Sequence, residues 1–120
     1  MASTFDPSQL HILLVDDEED VVEVVSHFLE QEGFNVHKAY AGNDALEKAT
    51  PDIDLIVLDI MLPEMDGYEI CRRLRGRVET ETIPIVFLSA KGEEDDQVKG
   101  LMMGADAYLT KPVSPQVIVA

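Results

Sequence analysis

The chain has no tryptophan, a single cysteine, and only 9 lysines and arginines against 24 aspartates and glutamates. One cysteine, Cys71, excludes an intrachain disulfide and suits a reducing compartment, so a cytoplasmic location is expected. The shortage of basic residues leaves a formal net charge of −15. Such a surface repels phosphate backbones and anionic lipid, so the domain is not expected to bind nucleic acid directly or to attach to membranes. No apolar run approaches the roughly 20 residues that a membrane-spanning helix needs. Residues 1–9 have neither a basic start nor an apolar stretch of the secretory kind, and they read as a polar N-terminal lead-in. The three histidines, His11, His27 and His37, show no ligand spacing, so no zinc site is expected.

What remains is ordinary for a globular domain: 120 residues, 46% hydrophobic and 28% charged. Residues 10–120 read as one domain, built from strand-type and helix-type segments in alternation. That pattern predicts an α/β fold around a parallel sheet. Strands are expected at Ile12–Val15, Phe34–Ala39, Leu55–Asp59, Pro84–Leu88 and Tyr108–Thr110. Leu55 to Leu58 is apolar at every position, as a central strand covered on both faces must be. A first helix begins with the acids Glu18, Glu19 and Asp20, which suit a helix N-terminus, and ends at Gly33. Val21, Val25, Phe28 and Leu29 form its apolar stripe. Further helices are expected at Asn43–Ala49, Gly67–Leu74 and Glu93–Met103. A fifth helix, opened by Ser114-Pro115, has room only for a stub before Ala120 and reads as incomplete.

The chemistry sits where these strands end. Ile12–Val15 runs into Asp16-Asp17, and Leu55–Leu58 into Asp59. The fourth strand ends at Ser89, and the fifth at Lys111-Pro112. Open α/β sheets place their ligand crevices at the carboxyl ends of strands, so a parallel sheet would gather all of these at one rim. Two carboxylates about 4 Å apart repel by on the order of 4 kcal/mol at an effective dielectric near 20. A hard divalent cation offsets that repulsion, and an all-oxygen site with room for water suits Mg²⁺. Three carboxylates, a hydroxyl and an ammonium at one rim point to metal-assisted phosphoryl chemistry.

Val15-Asp16-Asp17, Asp59 followed by Pro63 and Gly67, Ser89-Ala90-Lys91, and Gly104-Ala105-Asp106 through Lys111-Pro112 occur in that order over nearly the whole chain. Together they resemble the receiver domain of two-component response regulators. The resemblance implies a doubly wound, flavodoxin-like five-stranded sheet in the order 2-1-3-4-5. It also implies a phosphoacceptor. Asp59 would take a phosphoryl group from the phosphohistidine of a sensor histidine kinase or histidine phosphotransfer protein. Asp17, Asp59 and the backbone carbonyl of Met61 would bind Mg²⁺ directly, and Asp16 through a water. Lys111 and Ser89 would meet the phosphoryl oxygens, and Ser89 and Tyr108 would switch the output surface toward an output domain or partner protein. On this reading the domain is not an enzyme, catalysing only its own phosphorylation and dephosphorylation. The alternative from another class is a receiver-like interaction module that binds its partner without phosphorylation. Loss of an acid or of the lysine would mark it, and this chain keeps Asp16, Asp17, Asp59 and Lys111.

Overall fold

The computed structural model describes residues 9–60, 62–89 and 107–110. Five parallel strands form one sheet: β1 (His11–Val15), β2 (Asn35–Ala39), β3 (Leu55–Asp59), β4 (Ile85–Ser89) and β5 (Ala107–Thr110). Their order is β2-β1-β3-β4-β5, the doubly wound arrangement that the resemblance implied. Three helices lie between them: α1 (Glu19–Gln31), α2 (Gly42–Lys48) and α3 (Gly67–Arg75). The fourth helix, expected at 93–103, and the fifth, after Ser114-Pro115, fall outside the described residues, as does the lead-in at 1–8.

Side chains on a strand alternate between faces, and this alternation divides the core in two. Leu13 and Val15 of β1, Ile56 and Leu58 of β3, and Ile85 and Phe87 of β4 face α2 and α3. Ile12 and Leu14 of β1, Val57 of β3 and Leu88 of β4 face α1. The middle strands are buried on both faces, which is why they are apolar throughout residues 12–15, 55–58 and 85–88. Full burial of each such Leu or Ile contributes about 1.5–3 kcal/mol.

Helix α1 sits slightly rotated from its expected stripe. Val22, Val25, Ser26 and Leu29 are buried, whereas Val21 and Phe28 are half-buried. Ser26 tolerates this position because its hydroxyl donates to the Glu23 carbonyl at 3.3 Å. Gly33 follows the helix with φ 98, the left-handed conformation that favours glycine at a helix C-terminus.

Helix α3 is fastened at both ends. Asp66 caps it, its side chain accepting from the Glu69 backbone N–H at 2.9 Å. The polar stretch after the helix is tied down rather than loose. Arg75 donates to the carbonyls of Glu81 and Ile83, Arg77 to that of Leu46, and buried Thr80 donates to the Leu74 carbonyl at 2.7 Å. Cys71 is buried within α3 and packs with the core.

On the solvent side of α3, Glu69 receives hydrogen bonds from Arg72 and from Arg73, the latter at 2.8 Å. These two guanidinium groups, Arg72 first, hold the Glu69 carboxyl down from its usual 4.5 to about 2. A carboxylate whose folded pKa is depressed adds stability above its unfolded pKa and loses it as pH falls through the folded value. The local contribution of Glu69 is therefore expected to be full above pH 4.5 and to fade toward pH 2. A side-chain NMR titration of Glu69 should give a midpoint well below that of an ordinary glutamate. Arg72→Gln should move it upward, and an unmoved midpoint would refute the pairing.

Candidate functional site

The register of the sheet brings the site together. Val15 of β1 pairs with Leu58 of β3, so the next residues, Asp16 and Asp59, leave neighbouring strands side by side. Asp59 pairs with Leu88, which places Ser89 one step further along β4 at the same rim. Ser89 in turn pairs with Thr110, the last residue of β5. Tyr108 lies on β5 opposite Phe87. Met61 and Lys111 lie outside the described residues.

Two of the carboxylates are buried in this rim: Asp16 is 0% exposed and Asp59 1%. Asp17 and Glu18 are exposed beside them. One carboxylate oxygen from each of Asp16, Asp17, Glu18 and Asp59 lies within 4.8 Å of all the others. At an effective dielectric near 20, the Asp16–Asp59 pair alone implies repulsion of roughly 3 kcal/mol. The donor set is made only of oxygens, partly buried and partly open to water, and it fits a hard divalent cation. This cluster could hold a metal ion through Asp16, Asp17, Glu18 and Asp59.

Asp16 also has a local structural job. Its Oδ1 accepts the Glu18 N–H at 2.9 Å, closing a short side-chain turn between β1 and α1. Its own N–H donates to the Ala39 carbonyl at 3.1 Å, which ties the turn to the end of β2. The other wall of the rim is set by Gly67. Its N–H donates to the Ile60 carbonyl at 2.9 Å, and a β-carbon there would stand 2.5 Å from the Asp59 carbonyl oxygen. Only glycine lets α3 begin so close to the backbone that carries Asp59. Between them, Glu64 has φ 65, and the Met65 N–H reaches the Pro63 carbonyl at 2.6 Å across it. Behind the site, Tyr68 meets Phe87 edge-to-face, with ring centroids 5.3 Å apart.

Residues 12–120 match the family profile "Response regulator receiver domain". The chain belongs to that family. The receiver domain is 50% identical over 110 residues to the alkaline phosphatase synthesis transcriptional regulatory protein PhoP of Bacillus subtilis, covering 91% of this chain and 45% of PhoP. It is 40% identical over 109 residues to the response regulator SaeR of Staphylococcus aureus, covering 91% of this chain and 47% of SaeR. The chain thus spans about half the length of the curated relatives it matches. Among solved structures, the receiver fold resembles the BeF₃-activated DrrB receiver domain, with a TM-score of 0.83 and 31% identity. That match covers 92% of each chain. The receiver domain is therefore a signalling module of two-component systems, as the sequence motifs implied.

Two features escaped the sequence reading. Glu18 was read only as a helix-start acid, yet its carboxylate belongs to the cluster. His11 and His37, read as scattered, stand together: His11 Nδ1 lies 3.0 Å from His37 Nε2, and the rings stack at 5.2 Å. They border a cavity of about 750 Å³ that is also lined by Lys48, Thr50, Asp52 and Asp54. Because His11 begins β1, this cavity lies at the amino end of the sheet, away from the carboxylates.

Proposed function

We propose that this receiver domain accepts a phosphoryl group on Asp59 from the phosphohistidine of a sensor histidine kinase or a histidine phosphotransfer protein. An Asp59 carboxylate oxygen attacks phosphorus, the P–N bond breaks, and the histidine nitrogen keeps the electron pair and takes up a proton. The product is an aspartyl phosphate. The observation that carries this reading is the placement of a buried carboxylate, Asp59, among three others at the carboxyl rim of a parallel sheet.

Asp17 and Asp59, with the Met61 carbonyl, are the groups that would hold Mg²⁺, and Asp16 would act through a water. The ion, when bound, supplies positive charge for the phosphoryl oxygens. The chain's own residues do the rest. Asp16 holds the turn that sets Asp17, and Gly67 lets the Asp59 backbone sit against α3. Ser89 and Lys111 would meet the remaining phosphoryl oxygens, placed for it by the strand ends that precede them. Ser89 and Tyr108, on neighbouring strands, would then move together and alter the surface offered to an output domain or partner protein. Coupling of this kind is typically worth about 1–3 kcal/mol, a 5- to 150-fold shift between two states.

In this role the domain catalyses nothing beyond gain and loss of its own phosphoryl group. A cytoplasmic place accords with the single cysteine. It also accords with the lack, among the described residues, of a helix long and apolar enough to cross a membrane. DrrB in its BeF₃-activated form supports the reading, because BeF₃⁻ joined to a carboxylate oxygen becomes tetrahedral and imitates an aspartyl phosphate.

The test is direct. Incubation with acetyl phosphate or phosphoramidate and Mg²⁺ should add the mass of one phosphoryl group. The label should survive acid, be lost in base, and map to the peptide carrying Asp59. Labelling on another residue, or none with either donor, would overturn the proposal.

A further inference from the structure

We propose that His11 and His37 form a transition-metal site at the amino pole of the sheet, one that takes a divalent ion of the Cu²⁺ class. The site is separate from the carboxylate rim and does not depend on phosphoryl transfer to Asp59.

The sheet supplies the pair. Leu13 stands opposite His37, and His11 precedes Leu13 by two residues, so both imidazoles leave the same face of neighbouring strands on a diagonal. His11 Nδ1 lies 3.0 Å from His37 Nε2, with ring centroids 5.2 Å apart and planes inclined at 30°. The backbone beneath them is fixed. The His11 N–H donates to Asp54 Oδ2 at 2.8 Å, and the His11 carbonyl accepts the Asp54 N–H at 2.8 Å. His11 is half-buried and His37 exposed, so a hydrated ion can reach both.

The separation of the nitrogens selects the ion. At metal–nitrogen bonds of about 2.0–2.1 Å, nitrogens 3.0 Å apart subtend roughly 91–97° at the metal. That is the cis angle of the tetragonal coordination preferred by Cu²⁺ and Ni²⁺, and it is too narrow for tetrahedral Zn²⁺. Among first-row dications, Cu²⁺ also binds a given set of nitrogens most tightly. Binding needs a change of tautomer. The ring that donates within the pair moves its proton to its outer nitrogen, and both facing nitrogens then offer lone pairs. Two neutral rings release no net proton.

Water completes the coordination from the cavity of about 750 Å³ that the pair borders. Asp52 and Asp54 line this cavity and favour a cation. The lysines beside it, Lys38 and Lys48, are each paired with an acid, Glu23 and Asp44, at 3.4 Å. Five residues of strand separate His11 from Asp16, roughly 16 Å at about 3.3 Å per residue, so one ion cannot serve both ends. Because β2 is the edge strand, an ion held by His37 and His11 fastens that edge to β1.

The experiment is titration of the whole chain with CuCl₂ in excess MgCl₂, read by electron paramagnetic resonance and thermal unfolding. Wild type should take up one Cu²⁺ with nitrogen hyperfine splitting from two imidazoles, and should unfold at a higher temperature with the ion. Zn²⁺ should bind more weakly. His11→Ala and His37→Ala should each weaken Cu²⁺ uptake on the order of 100-fold, because a second ligand held on the same frame adds at least that much. The two-nitrogen signal should vanish with either. His27→Ala, which removes an exposed histidine of α1, should bind as wild type does. His37 is exposed on the edge strand, so its variant decides the matter even if His11→Ala folds poorly. A wild-type signal from oxygen ligands alone, no uptake, or wild-type affinity in His37→Ala would overturn the proposal.

Discussion

Asp59→Asn should abolish phosphoryl uptake and, without divalent cations, make the domain more stable. Both outcomes follow from one arrangement. Asp59 and Asp16 are buried at adjacent strand ends, with ligand oxygens inside 4.8 Å. Removing one of two buried like charges removes their repulsion, while asparagine keeps the shape and can donate to Asp16. A gain of about 1–3 kcal/mol is expected, the lower part of the range allowing for water and the exposed neighbours. The nucleophile is lost outright, because an amide cannot take the phosphoryl group and form the acyl phosphate. Urea unfolding with and without Mg²⁺ separates the two effects. Wild type should gain stability with the ion as a protein does with any ligand of its folded state, and the variant should gain much less. A variant that is less stable than wild type without cations would mean that the carboxylates do not strain one another.

Gly67→Ala should damage both stability and phosphoryl uptake although it adds only one methyl group. The new β-carbon would stand 2.5 Å from the Asp59 carbonyl oxygen, 2.9 Å from Ile60 Cα and 3.1 Å from the Asp59 carbonyl carbon. All three are backbone atoms, so no side chain can turn aside. Overpacking of this kind costs about 1–3 kcal/mol, more than the roughly 0.5–1 kcal/mol that alanine gains over glycine in a helix. The relief must come from moving α3 or the strand end, and the strand end carries the nucleophile. Misplacement by about an ångström can slow a reaction on the order of 100-fold. Gly42→Ala is the matched control, since its β-carbon would meet mainly the side chains of Met65 and Ile70. If Gly67→Ala labels with acetyl phosphate as fast as Gly42→Ala, the close approach does not position Asp59.

Most of the fold was legible because the strands announce themselves. Leu55 to Asp59 was bounded to the residue, and the parallel sheet followed from the alternation of segments. Other ends shifted by one residue, as with β2 starting at Asn35 rather than Phe34 and β4 running from Ile85 to Ser89. Phe34 instead packs in the core, and its N–H donates to the Leu29 carbonyl near the end of α1 rather than to a neighbouring strand. The stripe on α1 was misplaced because Ser26, a polar residue satisfied by its own helix, was not recognised as buried. The carboxylates at the rim were legible because each ends an apolar run. Glu18 was not, since an acid at a helix start already has a sufficient local explanation. The His11–His37 contact could not be read at all. It depends on two strands lying in register with Leu13 opposite His37, a fact about pairing that neither strand encodes alone.

The arginines of α3 have a consequence for how the molecule meets others. Every arginine in the sequence, Arg72, Arg73, Arg75 and Arg77, lies in or just after the last turns of that helix. The helix starts against Asp59 and must return across the sheet, because β3 and β4 are parallel. Its arginines therefore sit at the opposite pole from the acids at Asp16 to Asp20. A molecule so polarised feels a torque in the field of an approaching partner and tends to arrive with its acidic rim leading. Delivery of the phosphoryl group by a basic-faced donor protein should accordingly slow as salt rises, while transfer from a small donor such as acetyl phosphate changes much less.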